Sequence, residues 1–209
     1  MFGIHDFGFF LAAGILLNLT PGPDTAYILG RTIAQGRQAG IASALGICLG
    51  SIFHTCAAAL GLSAILLTSS TAFGFIKLLG GGYLIFLGAK MILDRSKSSG
   101  MPLHFRRCTN AAAFRQGALT NILNPKVALF FLAFLPQFIN PASTTKVLAF
   151  LSLGLSFVTT GTIWCLVLVW FASAFSKPFH TNVTIRRWVS GTAGALFIFL
   201  GLRLAAAKR

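Results

Sequence analysis

Long apolar runs separated by short polar ones dominate the chain. Charge-free stretches extend from Phe7 to Pro23, Gln38 to Ile76, Val127 to Thr145, Val147 to Ser176 and Val189 to Leu202. Several are long enough to cross a hydrocarbon core, which takes about 20 helical residues. The pattern predicts six helices, at roughly 7–34, 40–67, 72–93, 114–136, 147–175 and 188–206. Between them, Thr68 to Thr71 forms a polar hinge and Asp94 to Arg107 a basic loop. Asn140-Pro141 opens a short connection, and Lys177 to Arg187 makes a longer basic one.

Two of these helices are predicted to be broken. Pro21-Gly22-Pro23 falls inside the first and Asn124-Pro125-Lys126 inside the fourth. Proline has no N–H and clashes with the preceding turn, so each break frees backbone polar groups. In a bilayer such groups are tolerated only where they face protein or a polar cavity. Paired breaks in two halves of a membrane chain point to the site of a transported solute. The halves also align. Leu79 to Leu93 matches Thr192 to Ala206, setting Gly81 on Gly194, Ile85-Phe86-Leu87-Gly88 on Ile198-Phe199-Leu200-Gly201, and Lys90 on Arg203, while Thr20-Pro21 falls opposite Asn124-Pro125. Because three helices is an odd number, the second repeat is expected upside down relative to the first. The expected fold class is all-α: a polytopic membrane protein with six transmembrane helices as two inverted three-helix repeats, helices 1 and 4 being broken. A single membrane domain is expected over residues 1–209, with repeat 1 at about 1–97, the loop at about 94–107 and repeat 2 at about 108–209.

Composition sharpens this picture. A chain that is 56% apolar and 10% charged, with 21 Phe, is not an ordinary soluble domain. The net charge of +14, from 17 Lys and Arg against Asp6, Asp24 and Asp94, would elsewhere suggest nucleic acid. Here the bases fall mostly in the gaps between apolar runs and form no aromatic-interleaved stripe, so they read as topology signals and no nucleic-acid partner is expected. With the 94–107 loop in the cytoplasm, Arg31, Arg37, Lys90, Arg95, Lys97, Arg106, Arg107, Arg115, Lys177, Arg186 and Arg187 lie inside. Lys77, Lys146, Arg203, Lys208 and Arg209 then lie outside, a count of 11 against 5 that favours external termini. Trp170 and Trp188 then fall near the cytoplasmic interface. The amino terminus has no basic n-region or small-residue cleavage site, so Phe7 onward reads as a retained span. Cys48, Cys56, Cys108 and Cys165 show neither a CxxC pair nor a metal spacing and read as packing residues.

The candidate chemistry gathers at the breaks. Asp24 is the only acid near membrane depth, where a carboxyl can take up and release a proton during transport. The competing reading makes it an N-cap for a helical segment beginning at Thr25. Lys126 is its counterpart, a lone base after the second break, either facing Asp24 or a substrate carboxylate, or snorkelling. Asn18, Thr20, Asn121 and Asn124 flank the breaks and supply uncharged donors and acceptors, for a substrate or for freed backbone groups. His54, in mid-helix 2, reads as a hydrogen-bonded packing residue rather than a relay or ligand. Gly36, Gly40, Gly46 and Gly50 read as small residues for close helix packing. No paired carboxylates, nucleophile with a base, metal-ligand cluster or phosphate-binding loop appears. The reading is therefore of a non-enzyme with no cofactor and no metal.

A further series of residues carries a resemblance. Asn18-Leu19-Thr20-Pro21-Gly22-Pro23-Asp24, then Gly36-Arg37-Gln38-Ala39-Gly40, Gly46-x3-Gly50, Lys77 with Gly81-Gly82-Tyr83-Leu84-x2-Leu87-Gly88, Gly117 with Asn121-x2-Asn124-Pro125-Lys126, and Phe134-Leu135-Pro136-Gln137-Phe138 resemble the LysE/RhtB family of bacterial amino-acid exporters. The resemblance covers nearly the whole chain. It implies a six-helix carrier of the bacterial inner membrane that exports amino acids by exchange with protons. It implies site elements at Pro21, Gly22, Pro23, Asp24, Asn121, Asn124, Pro125 and Lys126; with Asn18 and Thr20 beside the breaks added from the reading above, these are the expected substrate-binding residues, and Asp24 is the expected proton-coupling group. The implied partners are an amino-acid substrate, protons and the lipid bilayer, and a homodimer is compatible with it. One acid and one base near the breaks leave little fixed charge for a charged side chain, so neutral substrates of the homoserine, threonine or leucine kind are expected. Export of basic amino acids or of a small solute such as a metal ion is the alternative, as is a channel or a non-transporting membrane protein. The 94–107 loop lacks the His-rich tract expected of metal exporters.

Overall fold

Proline and glycine punctuation sets the helix ends. In the structure, a computed structural model that describes residues 2–62, 70–93, 106–174, 195, 198–199 and 201–202, the first predicted helix is two: α1 (Phe7–Leu19) and α2 (Pro23–Gln35). Pro23 occupies the first turn of α2, where its missing N–H costs nothing. α3 (Arg37–Ala57) runs on through a π turn at Ala58–Leu62, and α4 (Ser70–Leu93) follows. α5 (Asn110–Ile122) starts earlier than residue 114 because Thr109 caps it, its hydroxyl accepting from Ala112 N at 3.2 Å. α6 (Pro125–Leu129) continues through a π turn at Phe130–Phe134 and a 3-10 turn at Leu135–Phe138, and α7 (Lys146–Ala174) is the longest helix described. The predicted sixth helix at 188–206 and the basic loops at 94–105 and 177–187 lie outside the described residues, apart from a few helical positions between 195 and 202.

Among the described residues every regular element is helical, with one isolated bridge between Ile4 and Ile139. Arg37–Leu62 and Lys146–Ala174 are each long and apolar enough to cross a membrane. The α5–α6 pair meets the same test as one span bent by 46° at its break. Away from their ends, the exposed faces of Arg37–Leu62 and Lys146–Ala174 are largely apolar. Leu45, Leu49, Phe53 and Leu60 recur at helical spacing along α3, as Leu148, Leu155 and Ile163 do along α7. This is the arrangement of a polytopic membrane protein, in which lipid is as apolar as leucine and close packing, not burial from water, joins the helices.

The small residues supply that packing. A Cβ on Gly46 would strike the Phe114 carbonyl oxygen, one on Gly50 would lie 2.7 Å from Asn121 Cβ, and one on Gly117 2.6 Å from the Ser43 carbonyl oxygen. α3 and the first half of the fourth span therefore touch backbone to backbone. Gly40 is equally tight against Thr32 and Val169. Gly36 departs from the packing expectation: it ends α2 with φ 88 and has nothing near its missing Cβ, so it is a turn glycine. A Cβ on Gly201 would lie 2.6 Å from the Gly81 carbonyl oxygen, so the two aligned repeat segments pack closely.

Two clusters lie at opposite ends of α1–α2. Around α1, Phe10, Phe130, Phe134, Phe138 and Phe157 interlock with ring centroids 4.8–6.1 Å apart. Residues 3–5 lace onto them through His5 N to Phe138 O (3.0 Å) and Asn140 N to Gly3 O (2.8 Å). At the far end of α2, Arg31 is 5% exposed, although the charge pattern marks it as a topology signal. Its guanidinium donates to Tyr27 Oη at 3.3 Å, to the Arg106 carbonyl at 2.9 Å and to the side chains of Gln35 and Gln116. A buried guanidinium needs its donors matched, and carbonyl and amide oxygens do this here.

Candidate functional site

A helix that stops inside a membrane leaves its last carbonyls without donors. At the end of α1, Leu16 O accepts from Thr20 N (3.1 Å) and from the Thr20 hydroxyl (2.7 Å). The carbonyls of Leu17 and Thr20 accept from Lys126 Nζ, at 3.1 and 3.0 Å. The base beyond the second break thus seals the first. Gly22 leaves room for it, since a Cβ there would lie 3.3 Å from Nζ.

The second break is sealed from the other side. The Asn121 carbonyl accepts from Asn124 N at 3.0 Å and meets His54 Nε2 at 3.1 Å; a carbonyl only accepts, so Nε2 carries the proton. The His54 ring also stacks on Phe131, which is the hydrogen-bonded packing role expected of it. Asn121 Nδ2 donates to Asp24 Oδ2 at 2.8 Å, while its Oδ1 accepts from Ser51 at 3.3 Å. Asn124 caps α6 by accepting from Lys126 N at 3.1 Å. Each break is therefore held by a charged or amide side chain from the neighbourhood of the other.

Asp24 is not the N-cap. Gly22 holds that position, α2 begins at Pro23, and the carboxylate lies in the first turn, where the positive end of the helix dipole favours it. Among the described residues Asp24 and Lys126 form no ion pair: the carboxylate accepts from Asn121 and the ammonium donates to the α1 carbonyls. Pro21, Pro23 and Pro125 are exposed. They shape the chain and do not line the space between the breaks.

That space is a cavity of about 30 Å³, lined by both halves: Leu17, Asn18, Asp24 and Thr25 from the first break, Ser51 from α3, Asn121 and Lys126 from the second break. Asn18 donates to Thr160 Oγ1 at 3.4 Å and rests on Gly161. The third wall, from α7, includes Phe157, Val158, Gly161, Thr162, Trp164 and Cys165 and is absent from the sequence-derived set. Its one legible signal was a hydroxyl and an indole together inside an apolar run. The volume admits about two waters. It is closed around too little space for an amino acid.

An all-helical membrane chain with two broken spans sealing one another around a shared polar cavity has the construction of a small-solute translocator. The chain belongs to the LysE type translocator family, whose model matches residues 15–208. This is a family of transporters, not of enzymes. The chain is similar to an uncharacterized membrane protein of Bacillus subtilis, at 29% identity over 96% of this chain and 98% of the relative. It is also 28% identical to an uncharacterized membrane protein of Pseudomonas aeruginosa, over 98% of this chain and 97% of that one. A leucine efflux protein of Salmonella typhimurium is 24% identical over 98% of this chain and 96% of its own length. No solved structure matches.

Proposed function

We propose that this protein exports neutral amino acids of the leucine, threonine or homoserine kind across the bacterial inner membrane in exchange for protons. The observation that carries the reading is the cavity itself. It lies between the two breaks, joins residues of both halves, and contains one carboxylate with an oxygen left open. The family and the similarity to leucine efflux proteins support amino-acid export.

Asp24 Oδ2 is committed to Asn121, whereas Oδ1 is buried with no hydrogen bond. The Asn124 amide acts on the carboxyl as a hydrogen-bond donor, although its Nδ2 falls short of full hydrogen-bond geometry. A substrate ammonium and a proton would both seek that open oxygen, and only one can hold it. Competition of this kind couples export of one zwitterion to return of one proton as the site alternates between the two sides. The other titratable groups facing Asp24 are Lys126, His54, Cys48 and Cys165. Lys126 has two of its three N–H groups on backbone carbonyls, so it serves the break before it serves a substrate.

Counterflow in proteoliposomes holding only this protein tests the reading. Leucine, threonine or homoserine preloaded inside should drive uptake of labelled substrate, saturably and in preference to lysine. A clear preference for lysine, or flux without saturation, would sink it. The charge count further supports periplasmic termini. A cysteine at position 98 (S98C), in a background without the four native cysteines, should then react with impermeant thiol reagents from the cytoplasmic side alone.

A further inference from the structure

α7 carries six hydroxyl residues between Lys146 and Ala174. Five of them return their proton to a carbonyl of their own helix: Ser152 to Leu148, Ser156 to Ser152, Thr159 to Leu155, Thr160 to Ser156 and Ser173 to Trp170, at 2.8–3.1 Å. Thr162 does not. Its Oγ1 is buried with no partner, and so is the indole Nε1 of Trp164 two residues on. Both residues line the cavity between the breaks, together with Asp24 and its open oxygen. Hydroxyls in apolar helices normally satisfy themselves by bonding back along the helix. A lone exception beside an unsatisfied indole, both on residues of the cavity wall, leaves two polar groups that the protein itself does not satisfy.

The chemistry of the three open groups fixes what that ligand is. An indole N–H can only donate, an ionised carboxylate can only accept, and a hydroxyl can do either. Together they ask for one acceptor and one donor at separate places in a single small molecule. An α-amino acid zwitterion supplies both. Lys126, the charge that intuition would assign to the carboxylate, is drawn to Leu17 O and Thr20 O. The remaining surface, from Leu17, Ile47, Val127, Phe157 and Val158, is apolar and suits an aliphatic side chain.

We propose that Trp164 Nε1 and Thr162 Oγ1 hold the carboxylate of an aliphatic amino acid whose ammonium meets Asp24, so that the α7 wall is the carboxylate subsite. This rests on the export reading above and adds to it the group that recognises the substrate's acidic end.

The test compares leucine with leucinamide, which keeps the ammonium and the side chain but has no carboxylate, as competitors in counterflow of labelled leucine by the full chain in proteoliposomes. Wild type should favour leucine. Trp164→Phe keeps the ring and removes the donor, and Thr162→Val keeps the shape and removes the hydroxyl. Each should weaken competition by leucine about tenfold and leave leucinamide unchanged. If Trp164→Phe yields no folded protein by size exclusion, Thr162→Val alone decides. Both variants keeping leucine's full advantage over leucinamide, as they would if those groups served only water, overturns the subsite while export stands. Wild-type vesicles that exchange no amino acid overturn the export reading and this inference with it.

Discussion

Replacing Asp24 with asparagine should abolish transport driven by a pH gradient while substrate exchange persists at higher substrate concentration. The substitution keeps size and keeps an oxygen for Asn121 Nδ2, which now donates to Asp24 Oδ2 at 2.8 Å, so the link between the breaks survives. It removes the only group at the cavity that can alternate between a proton and an ammonium within the proposed cycle. The amide NH₂ then stands where the open Oδ1 was, presenting a donor to the substrate's donor, and substrate affinity falls. Exchange needs no net change of protonation and therefore continues. The pH dependence has a definite sign. A protonated Asp24 cannot bind an ammonium, so in wild type lowering the pH should raise the apparent KM for exchange, whereas Asp24→Asn should be flat with pH. A folded Asp24→Asn variant with intact proton-driven flux would remove Asp24 from the coupling step.

The breaks were legible because proline imposes a local rule. Pro21 and Pro125 interrupt apolar runs whatever the tertiary context, and the structure stops α1 at Leu19 and α5 at Ile122. Asn121 and Asn124 were legible for the same reason, since a break needs amides beside it. How the two breaks are joined was not. Lys126 and Thr20 lie 106 positions apart, Asn121 and Asp24 97, and no periodicity links residues at that separation. Arg31 misled for a related reason. A base at the end of an apolar run looks the same whether it ends in water or, as here, among Tyr27, Gln116 and the Arg106 carbonyl. The π turns at Ala58–Leu62 and Phe130–Phe134 left no mark either, because one extra residue in a helical turn does not alter an unbroken apolar run. Trp164 carries no such mark, because tryptophan in a membrane chain first suggests the interface, a place that suits Trp170, which is 53% exposed. Burial of Nε1 without a partner is a three-dimensional fact.

Lys126→Met should have the largest effect on stability of any single change at the site. Methionine preserves length and apolar volume but takes away the ammonium at the end of α1, leaving the Thr20 carbonyl open where Thr20 is 1% exposed and the Leu17 carbonyl with the Thr20 N–H alone, at 3.2 Å. One buried acceptor without a partner and a second left with a single long bond cost about 2 kcal/mol, which lowers the thermal midpoint in detergent by roughly 6 °C. Export of every substrate should fall alike, because the first break no longer holds Asp24 in register with Asn121. The alternative role, a direct contact to the substrate carboxylate, makes a different forecast. It leaves the thermal midpoint near wild type, raises the KM for leucine and spares leucinamide. The structure favours the first outcome, since an ammonium has three N–H groups and two already end on backbone oxygens at 3.0–3.1 Å. A Lys126→Met protein that melts like wild type and yet loses its preference for leucine over leucinamide would move carboxylate recognition from α7 to the second break.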